Sequence, residues 1–139
     1  DTSSIFISRG DDSGTHFKET TIWKMSKLDP TKFSGDWYRE TGSGMGTTLN
    51  LANGMEAYTL SDRASWINFK NKKNLNIVAE KNQILFNQYG ITMVNPLKCP
   101  NVKVRNAKIF ISWLLSESGQ NSISNFKIKN QQLFFPNRN

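Results

Sequence analysis

Short apolar runs alternate with amphipathic stretches in the first part of the chain. Residues 5–7 are β-branched or aromatic and are followed by Gly10, a pattern that predicts a strand. The apolar positions between Phe17 and Leu28 recur at helical spacing and predict a helix that ends before Pro30. The order then repeats, with a strand predicted over residues 37–41 and a helix over residues 47–52 that ends at Gly54.

The alternation continues after this repeat. The sequence predicts a third strand over residues 57–60, a short helix over 61–69 and a fourth strand over 75–78. An extended segment is predicted over residues 85–95, which end before Pro96. Strands that alternate with helices indicate an α/β layered fold with a mainly parallel sheet.

The C-terminal part has a different pattern. Residues 107–115 have a wide apolar face and predict an amphipathic helix, which Ser118 and Gly119 are expected to end before one or two further helical turns over 122–126. The tryptophans lie in apolar patterns and are expected in the core: Trp23, Trp37, Trp66 and Trp113.

Charge and composition narrow the class of partner. The chain has 139 residues, the size of one domain, and a net charge of +7. Nucleic acid, an anionic membrane surface or a small anion would each suit a basic protein. The lysines and arginines are scattered, however, and the cluster at residues 70–73 is too short for a nucleic-acid patch. We therefore expect no nucleic-acid partner.

Few residues are suited to catalysis or to metal binding. Cys99 and His16 are the only cysteine and the only histidine, so neither an internal disulfide nor a metal-ligand cluster is expected. We expect no enzyme activity and no cofactor. No apolar run reaches the roughly 18 residues of a membrane-spanning helix. The chain begins at Asp1 without a signal peptide, and we interpret it as a processed or trimmed product.

The first predicted junction between strand and helix has features of an anion site. The first N–H groups of a helix lack intrahelical partners, and the helix dipole adds positive charge there. Ser13 and Thr15 add hydroxyl groups, Gly14 permits close approach, and Arg9 supplies a planar set of donors. The same residues also suit an ordinary capped helix, with Asp12 or Ser13 as the N-cap.

The second junction, with Met45 and Gly46, follows the same logic. Its glycines have neither P-loop nor dinucleotide-binding spacing. A tight turn into a helix is the alternative interpretation.

In order and spacing, three blocks resemble the tungstate-binding proteins of bacterial ABC importers, within the wider molybdate-binding family. The match continues through residues 85–90, 94–96 and 133–136 and through the helix at Trp113. The three blocks are Phe6-Ile7-Ser8-Arg9-Gly10-Asp11-Asp12-Ser13-Gly14-Thr15-His16, Trp37-Tyr38-Arg39-Glu40-Thr41-Gly42-Ser43-Gly44-Met45-Gly46-Thr47-Thr48-Leu49 and Ala57-Tyr58-Thr59-Leu60-Ser61-Asp62-Arg63.

This resemblance implies an α/β, periplasmic binding protein-like fold of type II, with an anion in the cleft between two lobes. Residues 1–86 would form the complete second lobe, and residues 87–139 would be the returning strand and C-terminal helices of the first lobe. The Thr/Ser-rich N-terminal loop of the family has no counterpart, so the chain resembles only the C-terminal half. The missing half is then an expected partner, and a lobe face exposed by its absence would let two copies pair.

The resemblance also implies a function and a set of contacts. The function is extracytoplasmic, periplasmic capture of tungstate or molybdate for a membrane permease; the sequence does not choose between two anions of equal charge and similar size. The alternative is a ligand-sensing effector domain of a transcription regulator. The residues that correspond to Arg9 and Thr15 contact the oxyanion, and the resemblance suggests further contacts at Ser13, Gly14, Met45, Gly46 and Thr59.

Overall fold

A three-stranded parallel sheet organises the N-terminal part of the protein. In the computed structural model, which describes residues 4–137, the strands are β1 (Phe6–Ser8), β2 (Tyr38–Glu40) and β3 (Tyr58–Thr59). They lie in the order β2-β1-β3, with Ile7 paired to residues on both neighbours. The strands predicted over 5–7, 37–41 and 57–60 and the parallel sheet are therefore confirmed.

A helix follows each of these strands. The helices are α1 (Gly14–Met25), α2 (Met45–Gly54) and α3 (Arg63–Asn68), and short 3-10 helices lie at Pro30–Phe33 and Gln83–Leu85. The three predicted helices are confirmed. Parallel strands place their carboxyl ends at one edge of a sheet, so all three α-helices begin at that edge.

The two faces of β1 contact different helices. Phe6 and Ser8 share one face, where the Phe6 ring lies 5.1 Å from the Trp23 ring of α1 and Ser8 is bonded to Glu19 of the same helix. Ile7 points to the opposite face and packs with Ala52 of α2. The sheet thus lies between α1 and α2. The core cluster on the α2 face consists of Ile7, Ala52 and Ala57, with Ile5, Met55 and Leu75 packed against it.

The C-terminal part forms a separate unit. Contacts divide the chain into Asp1–Asn87 and Gln88–Asn139. The second unit contains α4 (Val104–Leu114), α5 (Glu117–Asn125) and an antiparallel hairpin of β4 (Lys127–Ile128) and β5 (Gln131–Gln132). The assignment of residues 1–86 and 87–139 to two lobes of a longer protein stays a prediction.

Two predicted extended segments are not strands. Residues 75–78 and 86–95 have no regular secondary structure, and a strand requires a partner for its backbone groups. Apolar, β-branched composition suggested a fourth strand, but Ile77 and Val78 are exposed. That prediction is wrong, because local composition does not supply a neighbouring strand.

Gly119 was expected to end a helix, and this prediction is also wrong. Ser116 caps α5 by accepting the Gly119 N–H at 3.2 Å, and Gly119 is buried inside that helix. A Cβ atom at Gly119 would clash with the Trp113 carbonyl oxygen. The glycine therefore permits close approach of α5 to the end of α4, and the serine begins the second helix.

The tryptophans lie at the edge of the core rather than inside it. Trp23, Trp37 and Trp66 are half-buried and Trp113 is exposed, so their prediction as core residues is wrong for Trp113 and too strong for the others. A large indole ring is rarely covered on all sides. Among the described residues, no helix is both long enough and apolar enough to span a bilayer.

Candidate anion-binding site

The carboxyl edge of the parallel sheet brings the predicted site residues together. Arg9 follows the central strand β1, and Thr59 ends the neighbouring strand β3. Ser13, Gly14 and Thr15 lie at the start of α1, and Met45 and Gly46 form the first residues of α2. Open α/β sheets bind ligands at this edge. We call residues 9–14 the α1 turn and residues 41–45 the α2 turn.

Two buried polar atoms at this edge have no hydrogen-bond partner in the described part of the chain. Among the residues that the structure describes, nothing bonds to Arg9 Nε or to Thr59 Oγ1, although both atoms are inaccessible to solvent. Buried polar groups are nearly always satisfied, because an unmade hydrogen bond costs about 1–3 kcal/mol. Both atoms belong to predicted site residues: Arg9 was predicted from the local sequence and from the family resemblance, and Thr59 from the resemblance alone.

Asp11 holds the Arg9 guanidinium. Arg9 Nη2 lies 2.5 Å from Asp11 Oδ2, and both side chains are mostly buried. The Ser13 N–H donates to Asp11 Oδ1 at 3.2 Å. The hydrogen bond from the Ser13 side chain, and then that from Arg9, lower the pKa of Asp11. The carboxylate therefore stays charged and orients the arginine and the start of α1.

The other acidic residue of the α1 turn points into solvent. The Asp12 side chain is exposed, its backbone has a φ of +56°, and its N–H donates to His16 Nδ1 at 3.0 Å. Asparagine and aspartate tolerate this left-handed conformation better than most residues. Of the two carboxylates in this turn, one is thus neutralised by Arg9 and the other is solvated.

The first helix is capped by its own side chains. Ser13 Oγ accepts the His16 N–H at 3.3 Å, so the capped-helix interpretation, with Ser13 as N-cap, is confirmed. Thr15 is buried in the first turn of α1, whereas Gly14 is exposed. A Cβ atom at Gly14 would lie 3.7 Å from the Asn87 amide. Asn87 thus lies beside this turn, and nothing in its local sequence predicted that position.

No side chain caps α2. Gly44 is its N-cap and makes no side-chain bond in the described part of the chain, so the first N–H groups of this helix lack a side-chain acceptor. Met45 is buried and Gly46 is exposed. A helix start without a side-chain cap favours a negatively charged ligand.

Thr41 joins the two turns. Its Oγ1 donates to the Arg9 carbonyl at 3.1 Å and lies 3.1 Å from Thr48 Oγ1. The Ser43 N–H donates to the same carbonyl at 3.3 Å. Thr41 and Thr48 were not predicted as site residues, since their role depends on β2 lying beside β1. The resulting edge contains a half-buried arginine with a buried Nε, the buried hydroxyl of Thr59 and two helix starts.

Comparison with known proteins identifies the family. Residues 1–118 match the family model described as PBP superfamily domain. The chain belongs to the PBP superfamily. The α/β, periplasmic binding protein-like fold expected from the sequence is therefore confirmed.

Several proteins that are similar to this chain in sequence or structure have names that refer to tungstate. The chain is 46% identical over 121 residues to the tungstate-binding protein TupA of Peptoclostridium acidaminophilum, and this match covers 87% of the chain and 41% of that protein. The tungstate binding protein TupA from Desulfovibrio alaskensis G20 has a similar structure, with a TM-score of 0.76 and 39% identity over 98% of this chain and 56% of that one.

A third relative is the tungstate ABC transporter from Geobacter sulfurreducens. Its structure superposes with a TM-score of 0.75 and 43% identity, covering 89% of this chain and 51% of that chain. The chain thus spans about half the length, or less, of the relatives that it matches.

Proposed function

We propose that this chain is part of an extracytoplasmic solute-binding protein that captures a tetrahedral oxyanion, tungstate or molybdate, for import by an ABC transporter. The observation that carries the proposal is a pair of buried atoms at the carboxyl edge of the sheet, Arg9 Nε and Thr59 Oγ1, which have no hydrogen-bond partner within residues 4–137. An oxyanion accepts hydrogen bonds from both kinds of donor, and arginine matches its geometry.

The other proposed contacts complete a shell of donors. The backbone at Met45 and Gly46 begins an uncapped helix, and Gly14 and Thr15 begin α1. We assign Ser13 a smaller direct role, because its hydroxyl already caps α1 and supports Asp11. The names of the relatives, which include tungstate-binding proteins and an ABC transporter, support the choice of ligand.

The proposed partners follow from this function. They are the oxyanion, a membrane permease that receives it, and the part of the protein that corresponds to the remaining length of the relatives. Capture and release require no chemical change in the ligand, so we propose a transport role and not an enzymatic one, with no cofactor.

The test is calorimetric titration of tungstate and molybdate into the protein at its natural length. Arg9→Ala should weaken binding about 100-fold, because charge-assisted hydrogen bonds contribute about 1.5–3 kcal/mol each. Arg39→Ala is the matched control: Arg39 lies exposed on β2, where its Nε donates to the Asp36 carbonyl, and its removal should leave affinity unchanged.

A second variant tests the buried hydroxyl. Thr59→Val keeps the shape of the side chain and removes its donor, and should weaken binding about five- to tenfold, the value of one neutral hydrogen bond. Unchanged affinity in Arg9→Ala would contradict the proposed function.

A further inference from the structure

A buried carboxyl group lies on α1, below the proposed site. Glu19 is 3% exposed. Its Oε2 accepts the Ser8 hydroxyl at 2.7 Å, and its Oε1 accepts Trp23 Nε1 at 3.0 Å and the Tyr38 hydroxyl at 2.9 Å. Burying a carboxyl group is costly unless it is hydrogen-bonded. Strand β1, strand β2 and helix α1 all contribute donors to this one group.

Ser8 links this carboxyl group to the α1 turn. Its Oγ accepts the Gly10 N–H at 3.2 Å while its hydrogen goes to Glu19. Ser8 is fully buried, so no water competes for either bond. Trp23 and Tyr38, by contrast, bond to the other carboxyl oxygen. Of these three donors, Ser8 is the one whose oxygen also bonds to the backbone of the α1 turn.

The backbone on both sides of Arg9 is fixed by these contacts. Ser8 precedes Arg9 and Gly10 follows it, and the Arg9 carbonyl is held by Thr41 and Ser43. Gly10 has a φ of +56°, and a Cβ atom there would lie 2.8 Å from the Glu40 Cβ. At position 10, only glycine fits this turn without strain while β1 and β2 stay paired.

We propose that Glu19, acting through Ser8, is a positioning residue that holds the Arg9–Gly10 backbone in the conformation required for oxyanion binding. The inference rests on the proposed function. Neither side chain needs to touch the ligand. At metal sites, removing a group that orients a ligand-binding residue commonly lowers affinity by about 10- to 100-fold. We expect a similar loss here.

The experiment compares two substitutions that each remove one hydroxyl from the same carboxyl group. Ser8→Ala removes the bond that continues to the turn, and Tyr38→Phe removes a bond that does not. Both variants should have a lower melting temperature. Tungstate affinity, measured in the protein at its natural length, should fall about 10-fold or more in Ser8→Ala, in line with the losses seen for such supporting groups. It should stay unchanged in Tyr38→Phe.

A double-mutant cycle separates positioning from general loss of stability. If Ser8 acts through the arginine, the effect of Ser8→Ala should largely disappear in an Arg9→Lys background, chosen because lysine keeps the positive charge. Additive losses, or equal affinities of Ser8→Ala and Tyr38→Phe, would overturn the inference. Ser8→Cys, which keeps a weak donor and a weak acceptor, provides the same comparison if Ser8→Ala does not fold.

The two proposals fail in different ways. Absence of tungstate and molybdate binding in the unaltered protein would contradict the proposed function. Normal binding by the unaltered protein together with normal binding by Ser8→Ala would contradict only the positioning role.

Discussion

The α1 turn and the α2 turn both lead from a parallel strand into a helix, but they are built differently. In the α1 turn, side chains fix the start of the helix. Ser13 is the N-cap, Asp11 forms an ion pair with Arg9, and Ser8 accepts the Gly10 N–H. The α2 turn leaves its helix start without a cap at Gly44. Each turn contains two glycines, but the α1 turn presents a charged side chain, whereas the α2 turn presents backbone N–H groups.

For the proposed anion site, this difference predicts that the two turns contribute in different ways. Side chains in the α1 turn are fixed by several bonds, so the position of Arg9 depends on many neighbours. The backbone donors of the α2 turn need only the geometry of the helix itself. Substitutions in the α1 turn should accordingly have larger effects than matched substitutions in the α2 turn.

The largest difference is expected between Gly10 and Gly42. Both have positive φ, +56° and +59°, but an added Cβ meets Glu40 at 2.8 Å in the first case and nothing within 4 Å in the second. Gly10→Ala should reduce the free energy of unfolding by about 3 kcal/mol and Gly42→Ala by about 1 kcal/mol, since left-handed backbone alone costs about that much. Urea unfolding of the two variants measures both. Equal losses would show that β2 can move away from the α1 turn.

A smaller difference is expected between the N-caps. Ser13→Ala removes the bond to the His16 N–H and should cost about 1 kcal/mol. Gly44→Ala has no side-chain bond to lose and should cost about 0.5 kcal/mol or less. Thermal unfolding checks the stability, and titration with tungstate should show only a modest change for Ser13→Ala. A large loss of affinity would mean that Ser13 contacts the anion directly.

The smallest effect concerns Asp11 and depends on pH. Its folded-state pKa is lowered, first by the Ser13 hydrogen bond and also by Arg9, from an ordinary value of 3.8. The ionised form therefore stabilises the fold above about pH 4, and this contribution is lost as the pH falls through the lowered pKa. Asp11→Asn should cost less than about 1 kcal/mol at neutral pH because the pair is partly solvated.

Denaturant unfolding at two pH values checks the sign of this effect. The stability difference between the parent and Asp11→Asn should shrink between about pH 7 and pH 3. A difference that grew on acidification would contradict the role assigned to this carboxylate.

The sequence predicted the fold where local pattern and tertiary pairing agree. Strands β1, β2 and β3 and helices α1 to α4 were predicted because each combines apolar periodicity with a glycine, proline or capping residue at its boundary. Residues 75–78 had strand composition without a partner strand. Gly119 had the identity of a helix terminator but serves close packing between two helices. The β4–β5 hairpin was missed because its strands are polar and only two residues long.

The candidate site likewise contains residues that the local sequence predicts and residues that it does not. Arg9 and the helix starts could be predicted, because strand-to-helix junctions have a local signature. Thr41, Glu19 and Asn87 could not, since each matters only through a residue distant in sequence. Glu19 in particular has the identity of an ordinary surface residue on a helix, and only the pairing of β1 with β2 reveals that it is buried.

The order β2-β1-β3 also determines when the site forms as the protein folds. Ile7 pairs with Arg39 on one side and Thr59 on the other, both much later in the chain. Pairing of this kind requires long loops to close and is slow compared with helix formation. The helices can therefore form early while Arg9 still lacks its neighbours. A ligand that binds only the finished edge stabilises the native state by mass action and cannot guide the earlier steps.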